Sequence, residues 1–87
     1  MHEFSLINDL MRKIADLATQ HRAKKVAVVR VKLGALCHIS TEHFREHFEE
    51  AAVGTVAHGA RLEVELNEDE QHPNAQDILL DSVEVEE

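Results

Sequence analysis

Residues 24–34 read KKVAVVRVKLG, and this stretch decides the fold. Every second side chain in it is apolar, at positions Ala27, Val29, Val31 and Leu33. β-Branched residues dominate, and a two-residue period is typical of a strand with one buried face. We therefore predict a β-strand that ends at Gly34, with these four side chains on its inner face.

An amphipathic helix precedes the strand. Its apolar residues recur at spacings of three, four and seven positions, at Ile7, Leu10, Met11, Ile14, Leu17 and Ala18. This period predicts an α-helix over residues 5–21. We expect Ser5 to be the N-cap, because a serine hydroxyl accepts hydrogen bonds from first-turn amides. Residues 1–3 then form a short arm held by the first turn of the helix.

A second helix and a second strand follow Gly34. The helix is predicted to begin after an N-cap at Ser40 or Thr41 and to end at Gly54. Its predicted buried stripe is Phe44, Phe48, Ala51 and Ala52. Residues 59–66, GARLEVEL, alternate in the same way as the first strand. Their inward side chains are predicted to be Leu62, Val64 and Leu66.

A polar loop separates the second strand from a third. Residues 67–76, NEDEQHPNAQ, have no apolar period and contain the only proline, whereas residues 77–87, DILLDSVEVEE, alternate again. The order is α-β-α-β-β. A strand-helix-strand unit places its two strands parallel, and the loop allows the third strand to return antiparallel. We predict one α+β domain over residues 1–87, with two helices packed on one face of a small three-stranded mixed sheet.

Composition excludes several classes of protein. The net charge is −8, from 17 acidic and 9 basic side chains, and a negative surface repels phosphate, so we expect no nucleic-acid partner. No apolar run approaches the roughly 20 residues that cross a bilayer, and no signal peptide is evident. We expect a cytoplasmic protein without a membrane partner. Cys37 is the only cysteine, which fits a reducing compartment and excludes a zinc site built from CxxC pairs.

Histidine is abundant, with seven in 87 residues, and the chain begins MHE. The α-amine of Met1, the amide nitrogen of His2 and the His2 imidazole can chelate one ion through adjoining small rings. The Glu3 amide, its carboxylate or a water would supply the fourth donor. Nitrogen-rich planar donor sets suit Ni(II) or Cu(II), whereas Zn(II) prefers a tetrahedron. On residue types alone, a merely solvated terminus is the competing interpretation.

Two further histidine groups were weighed as ligands. His43, Glu46 and His47 match the H-x-x-E-H pattern of some zinc peptidases, but that chemistry needs a third ligand and a cleft. A solvated helix face is therefore the favoured interpretation, ahead of an adventitious metal site and a peptidase. His38 would be an additional ligand if the loop before the second helix lies near the N-terminus. Otherwise it is an exposed loop histidine.

Five segments together resemble a known family: MHEFSL, VRVKLGALCHIS, FREHFEEAAVGT, GARLEVEL and DILLDSVEVEE. They resemble the hydrogenase/urease nickel-incorporation accessory proteins, the HypA/HybF nickel metallochaperones, over residues 1–66 and 77–87. The resemblance implies a non-enzymatic protein that binds Ni(II) at Met1, His2 and Glu3. It also implies delivery to the nickel–iron hydrogenase large subunit, or to urease, with help from a partner GTPase.

The chain departs from the family pattern at residues 67–76. Family members carry a zinc module with two CxxC pairs between the last two strands, whereas this loop contains no cysteine. Structural zinc is therefore not expected, and the nickel domain should fold on its own. The alternative function is a metal-independent adaptor that docks on a maturation GTPase or a hydrogenase subunit.

Overall fold

The computed structural model describes the backbone of residues 2–37, 39–73 and 75–86, and their side chains from Ser5 onwards. Its elements are α1 (His2–Gln20), β1 (Lys25–Leu33), α2 (Thr41–Ala52), β2 (Arg61–Leu66) and β3 (Ile78–Glu86). α1 packs against α2 and β3, and α2 also packs against β2. The predicted α+β fold and its α-β-α-β-β order are confirmed.

The three strands form one mixed sheet in the order β2-β1-β3. β1 is parallel to β2, with Val29 opposite Leu62, and antiparallel to β3, with Val29 opposite Val83. α2 makes the connection between the parallel strands. The predicted strand directions are therefore confirmed.

The inner face of β1 shifts phase at Ala27. Val26 pairs with Val85 of β3 and Val28 pairs with Glu84, so Ala27 has no partner across this ladder. Val26 is fully buried and Ala27 only partly. The prediction that Ala27 faces inward was wrong, because a β-bulge at this position changes which side chains point into the core.

One apolar core lies between the helices and the sheet. Fully buried side chains come from both helices and from β1, and the largest are Ile7, Ile14, Val26, Val29, Val31, Leu33, Phe44 and Phe48. Burying each such side chain stabilises the fold by about 1.5–3 kcal/mol. Leu66, predicted to face inward, is 51% exposed. It ends the edge strand β2, and the groove around it is lined by loop residues instead of a helix.

The two helices begin differently. α1 begins at His2, three residues before the predicted start, so Ser5 lies inside the helix and the prediction that it is the N-cap was wrong. No glycine or proline in residues 2–4 opposes helix formation, and an acidic residue in the first turn is favoured by the helix dipole. α2 begins after Ser40, whose hydroxyl accepts a hydrogen bond from the backbone N–H of His43 at 3.1 Å. Of the two predicted N-caps, Ser40 and Thr41, the structure has Ser40.

The helices also end differently. After α1, the amide of Arg22 donates to the Thr19 carbonyl at 3.1 Å and the amide of Ala23 to the Ala18 carbonyl at 2.8 Å. This is a Schellman motif, and it places Arg22 in the left-handed region with φ 54°. After α2 the left-handed position belongs to Gly54, with φ 80°, as expected for its predicted terminating role.

The outer face of the sheet is ionic. Arg30, at its centre, binds Glu63 on β2 through Nε at 3.0 Å and Glu84 on β3 through Nη2. The hydrogen bonds from Glu84 and then Glu63 raise the pKa of Arg30. Lys32 lies 3.9 Å from Glu65. Arg30 and Lys32 are each flanked by an acid from β2 and one from β3, since Lys32 also lies 3.9 Å from Asp81. These contacts favour this strand order over pairing of the two acidic strands.

Residues 67–77 are attached to the end of β1 by backbone hydrogen bonds. The Asn67 amide donates to the Leu33 carbonyl at 2.9 Å, the Gly34 amide to the Asp77 carbonyl at 2.9 Å and the Leu36 amide to the Ala75 carbonyl at 2.6 Å. Ala75 is 5% exposed. The loop is largely polar and exposed, as predicted, but both of its ends are fixed to one end of the sheet.

Candidate metal site

The predicted nickel ligands fall at the beginning of α1. His2 and Glu3 are the first two residues of the helix backbone. Met1 and His38, the other two predicted ligands, lie outside the described residues. The structure therefore defines the backbone that carries two of the four predicted ligands.

A helix start is chemically suited to donation by amide nitrogens. The first four N–H groups of an α-helix have no acceptor within the helix. A metal ion that displaces the amide protons of His2 or Glu3 therefore breaks no hydrogen bond of α1. The positive end of the helix dipole disfavours a bare cation, but it favours the negative charge of a deprotonated amide or a carboxylate. Such donors would neutralise the charge of a cation bound at this position.

The first turns of α1 lie where β1 ends. Leu6 and Leu10 line one groove together with Ile78 at the beginning of β3. Ile78 in turn pairs with Leu33, the last residue of β1. The beginning of α1 and the end of the central strand therefore share one end of the molecule, which we call the site end.

The loop that follows β1 starts from the site end and leads to α2. The Cys37 amide donates to the Gly34 carbonyl at 3.2 Å, and the Cys37 thiol group is free and partly buried. His38 follows Cys37 directly in the sequence. This topology is the one that the prediction of His38 as an additional ligand requires, because the loop leaves the sheet at the same end as α1 begins.

The histidines of α2 lie side by side on the helix. His43 is exposed, His47 is partly buried, and their ring centroids are 6.2 Å apart. Across the described residues, no three histidine, cysteine, aspartate or glutamate side chains come together in a metal-binding arrangement. The three-ligand site of a zinc peptidase is therefore not formed by this part of the chain. The favoured prediction was a solvated helix face. His43 is exposed, as that prediction requires, whereas His47 is only partly so.

The fold is shared with solved structures of one class of small α+β proteins. The solution structure of the Ni metallochaperone HypA from Helicobacter pylori matches with a TM-score of 0.77 at 19% identity, and covers 97% of this chain and 97% of that one. A second solution structure, of a HypA protein, matches with a TM-score of 0.75 at 21% identity, and covers 98% and 96%. At such identities the likeness establishes the fold.

The sequence identifies the family within that class. The HypA family model, described as hydrogenase/urease nickel incorporation, metallochaperone, matches residues 1–72. Hydrogenase maturation factor HypA of Methylocella silvestris is 36% identical over 66 residues, which are 76% of this chain and 58% of that relative. The factor from Archaeoglobus fulgidus is 38% identical over 66 residues, 76% of this chain and 60% of that relative. The chain belongs to the HypA family.

Family membership confirms the resemblance that the five sequence segments indicated. The family is one of metallochaperones, so the prediction of a non-enzymatic protein is confirmed at the level of the family. The chain spans about three-fifths of the length of the curated relatives it matches (58% and 60%). Within the described residues, no helix has the length and apolar character needed to cross a membrane.

Proposed function

We propose that this protein is a nickel metallochaperone domain that holds Ni(II) at Met1, His2 and Glu3 and delivers it for maturation of a nickel–iron hydrogenase. One observation carries the proposal. The sequence MHE stands at the beginning of α1, where backbone amides have no helical acceptor, in a chain that matches the HypA family over residues 1–72.

The donor set explains the choice of metal. An α-amine, a deprotonated amide and an imidazole bound through adjoining small rings impose a planar arrangement of nitrogens. Ni(II) accepts that arrangement, and Zn(II) does so poorly. The Glu3 amide, its carboxylate or a water supplies the fourth donor, with His38 as a further ligand from the loop after β1. Ni(II) is the cargo of the protein and not a resident cofactor.

An open site at the beginning of a helix suits transfer of the ion. Ligands contributed by the first residues of a chain can be replaced one at a time by stronger donors on an acceptor, so the ion need never be released to solvent. The proposed acceptor is the hydrogenase large subunit, with urease as the second candidate. A nickel-handling GTPase is the proposed partner in the transfer.

The short loop is part of the same proposal. Residues 67–76 occupy the place of the zinc module of longer family members, and they contain no cysteine. We therefore propose that the domain works without structural zinc. The hydrogen bonds that fix both loop ends to β1 support this, because they complete the sheet without a metal.

Titration with Ni(II), followed by calorimetry, tests the site. Three forms are compared: the native chain, His2→Ala, and a form with extra residues before Met1. We expect both altered forms to lose affinity for Ni(II), because each change removes one ring of the chelate. The loss should be about a hundredfold or more, which corresponds to about 2.7 kcal/mol of binding free energy. Ala is a good helix former, so His2→Ala should leave the helix content unchanged. Equal affinity in all three forms would rule out the proposed site.

Capture of partner proteins separates the proposal from the adaptor alternative. The protein is immobilised and incubated with the purified GTPase and hydrogenase large subunit, with and without a strong nickel chelator. A metallochaperone should bind the large subunit more tightly when it is loaded with Ni(II). An adaptor would show the same binding in both conditions.

A further inference from the structure

Helix α2 carries a pair of histidines that the proposed function does not use. His43 and His47 are four residues apart, a spacing that puts both side chains on one face of a helix. Their rings are tilted by 53°, with centroids 6.2 Å apart. Imidazole nitrogens bind borderline metal ions at about 2.0–2.1 Å, and histidines at this helical spacing are a known ligand arrangement for one ion.

The orientation of α2 determines where this pair points. Arg45, midway between the two histidines, donates through Nη1 to the carbonyl of Leu62 on β2 at 2.8 Å. Residues two positions away on a helix lie about 160–200° from it around the axis. His43 and His47 are therefore on the flank opposite β2.

That flank faces α1. The sheet order is β2-β1-β3, α2 packs against β2, α1 packs against β3, and the two helices pack against each other. The side of α2 away from β2 is thus the side next to α1. The exposures agree, because His47 is partly buried whereas His43, about one turn nearer the beginning of α2, is exposed.

Both helices begin at the site end of the sheet. α1 begins beside Ile78, and α2 begins after the loop that leaves Leu33. His43 and His47 lie in the first two turns of α2. The pair consequently lies at the same end of the two packed helices as the beginning of α1, where His2 and Glu3 are located.

The charge of α2 favours a cation. The helix contains four glutamates and one arginine, and all four glutamates are exposed. An acidic surface raises the local concentration of divalent ions, and imidazole donors select borderline metals such as Ni(II) from hard ions such as Mg²⁺.

We propose that His43 and His47 form a second nickel site, in which two imidazoles hold one Ni(II) ion and water completes the coordination. With fewer protein donors it is weaker than the site at residues 1–3. Its position makes it a holding point from which the ion passes to or from the beginning of α1. The relay role rests on the proposed nickel function, whereas metal binding by the pair does not.

Four forms of the protein separate the two sites: the native chain, a form whose α-amine is acetylated, the double variant His43→Ala, His47→Ala, and the two changes combined. Each is titrated with NiCl₂ by calorimetry, and histidine ring signals are followed by NMR. The matched control is the double variant His21→Ala, His58→Ala, which removes two exposed histidines outside α2.

The native chain and the control should bind two ions, and the acetylated form only the weaker one, with the His43 and His47 ring signals affected together. The double α2 variant should keep the tighter ion and show no binding of the weaker one, because both imidazole ligands are removed. The combined form should bind none above background.

Two results would overturn the proposal. One is a double α2 variant that binds as many ions as the native chain. The other is a native chain that binds a single ion whose affinity falls with either change, since this would mean one shared site. If acetylation changes nothing while the α2 substitutions remove an ion, the site at residues 1–3 fails and the α2 site stands.

Discussion

The beginnings of the two helices lie at one end of the molecule, yet they are completed in different ways. α2 has a serine N-cap, with the Ser40 hydroxyl bonded to the His43 amide at 3.1 Å. α1 begins at His2, and the residue before it, Met1, has no side-chain oxygen that can accept such a bond. A good N-cap stabilises a helix by about 1 kcal/mol, so a helix start without one leaves its amides for other partners. We expect this difference to separate a helix start that is capped by its own chain from one whose amides are open to the proposed metal.

Truncating a large buried side chain near the beginning of each helix tests whether the two helix beginnings are packed equally well against the core. Phe44 and Ile7 are 0% and 1% exposed. Phe44→Ala should reduce the free energy of unfolding by about 3–5 kcal/mol and Ile7→Ala by about 2–5 kcal/mol, since both leave cavities. Urea denaturation followed by circular dichroism measures both losses.

Val53→Ala is the control for these core substitutions, because Val53 is 64% exposed and should cost less than about 0.5 kcal/mol. If Ile7→Ala reduced the free energy of unfolding as little as Val53→Ala does, the beginning of α1 would be weakly packed against the core. The two starts would then differ in anchoring as well as in capping.

Lowering the pH should weaken nickel binding at α1. A free α-amine has a pKa of about 7.7–8.0, and it binds metal only when deprotonated. Affinity is therefore highest above this pKa and falls by about tenfold per pH unit below it for each proton displaced. Calorimetry between about pH 8 and pH 6 measures the slope. Acetylating the amine should make the slope shallower, and an unchanged slope would mean that the amine is not a ligand.

Replacing one serine in each helix tests the capping difference directly. Ser40→Ala should reduce the free energy of unfolding by about 1 kcal/mol, because the His43 amide loses its acceptor. Ser5→Ala, inside α1 and exposed, should change it by less than about 0.5 kcal/mol and in the stabilising direction. Chemical denaturation of the two variants side by side is sufficient. A larger loss for Ser5→Ala would place the functional start of α1 at Ser5.

The opposite ends of the helices extend the comparison. Arg22 occupies the left-handed position after α1 with φ 54°, and Gly54 the one after α2 with φ 80°. Arg22→Gly should therefore stabilise the protein by about 0.5–1 kcal/mol, whereas Gly54→Ala should destabilise it by a similar amount. Among the described residues, and leaving out the two that adjoin Gly54, no atom lies within 4 Å of an added Cβ, so the substitution measures backbone strain. Shifts of the same sign in thermal unfolding would contradict this assignment.

The architecture could be predicted from the sequence because each helix and strand has its own spacing of apolar residues. The apolar stripes of both helices and the alternation of β1 gave the correct order, strand directions and α2 cap. The misses have tertiary causes. The bulge at Ala27 accompanies a hydrogen bond from the Val26 amide to the Val56 carbonyl at 2.9 Å, a partner far along the chain. Leu66 follows the alternation of β2, but whether a helix covers it depends on where the helices lie.

The candidate site was predictable only in its chemistry. Amine, imidazole and carboxylate donors are visible in the letters MHE. Ser5 is a good capping residue type, so local sequence favoured a helix start there, and residues 1–3 were predicted to form an arm outside the helix. That His2 and Glu3 continue the helix changes the physical argument for the site, because their amides then belong to the first turn of the helix, where they have no helical acceptor.

The attachment of Asn67 and Asp77 to the consecutive residues Leu33 and Gly34 brings the exit from β2 and the entrance to β3 together. Because the two ends of this loop are close together, the loop can be longer without disturbing the strands. Extra loop residues increase the entropic cost of loop closure only slowly. A module inserted there would lie at the site end of the domain, and it could be exchanged as a separate part.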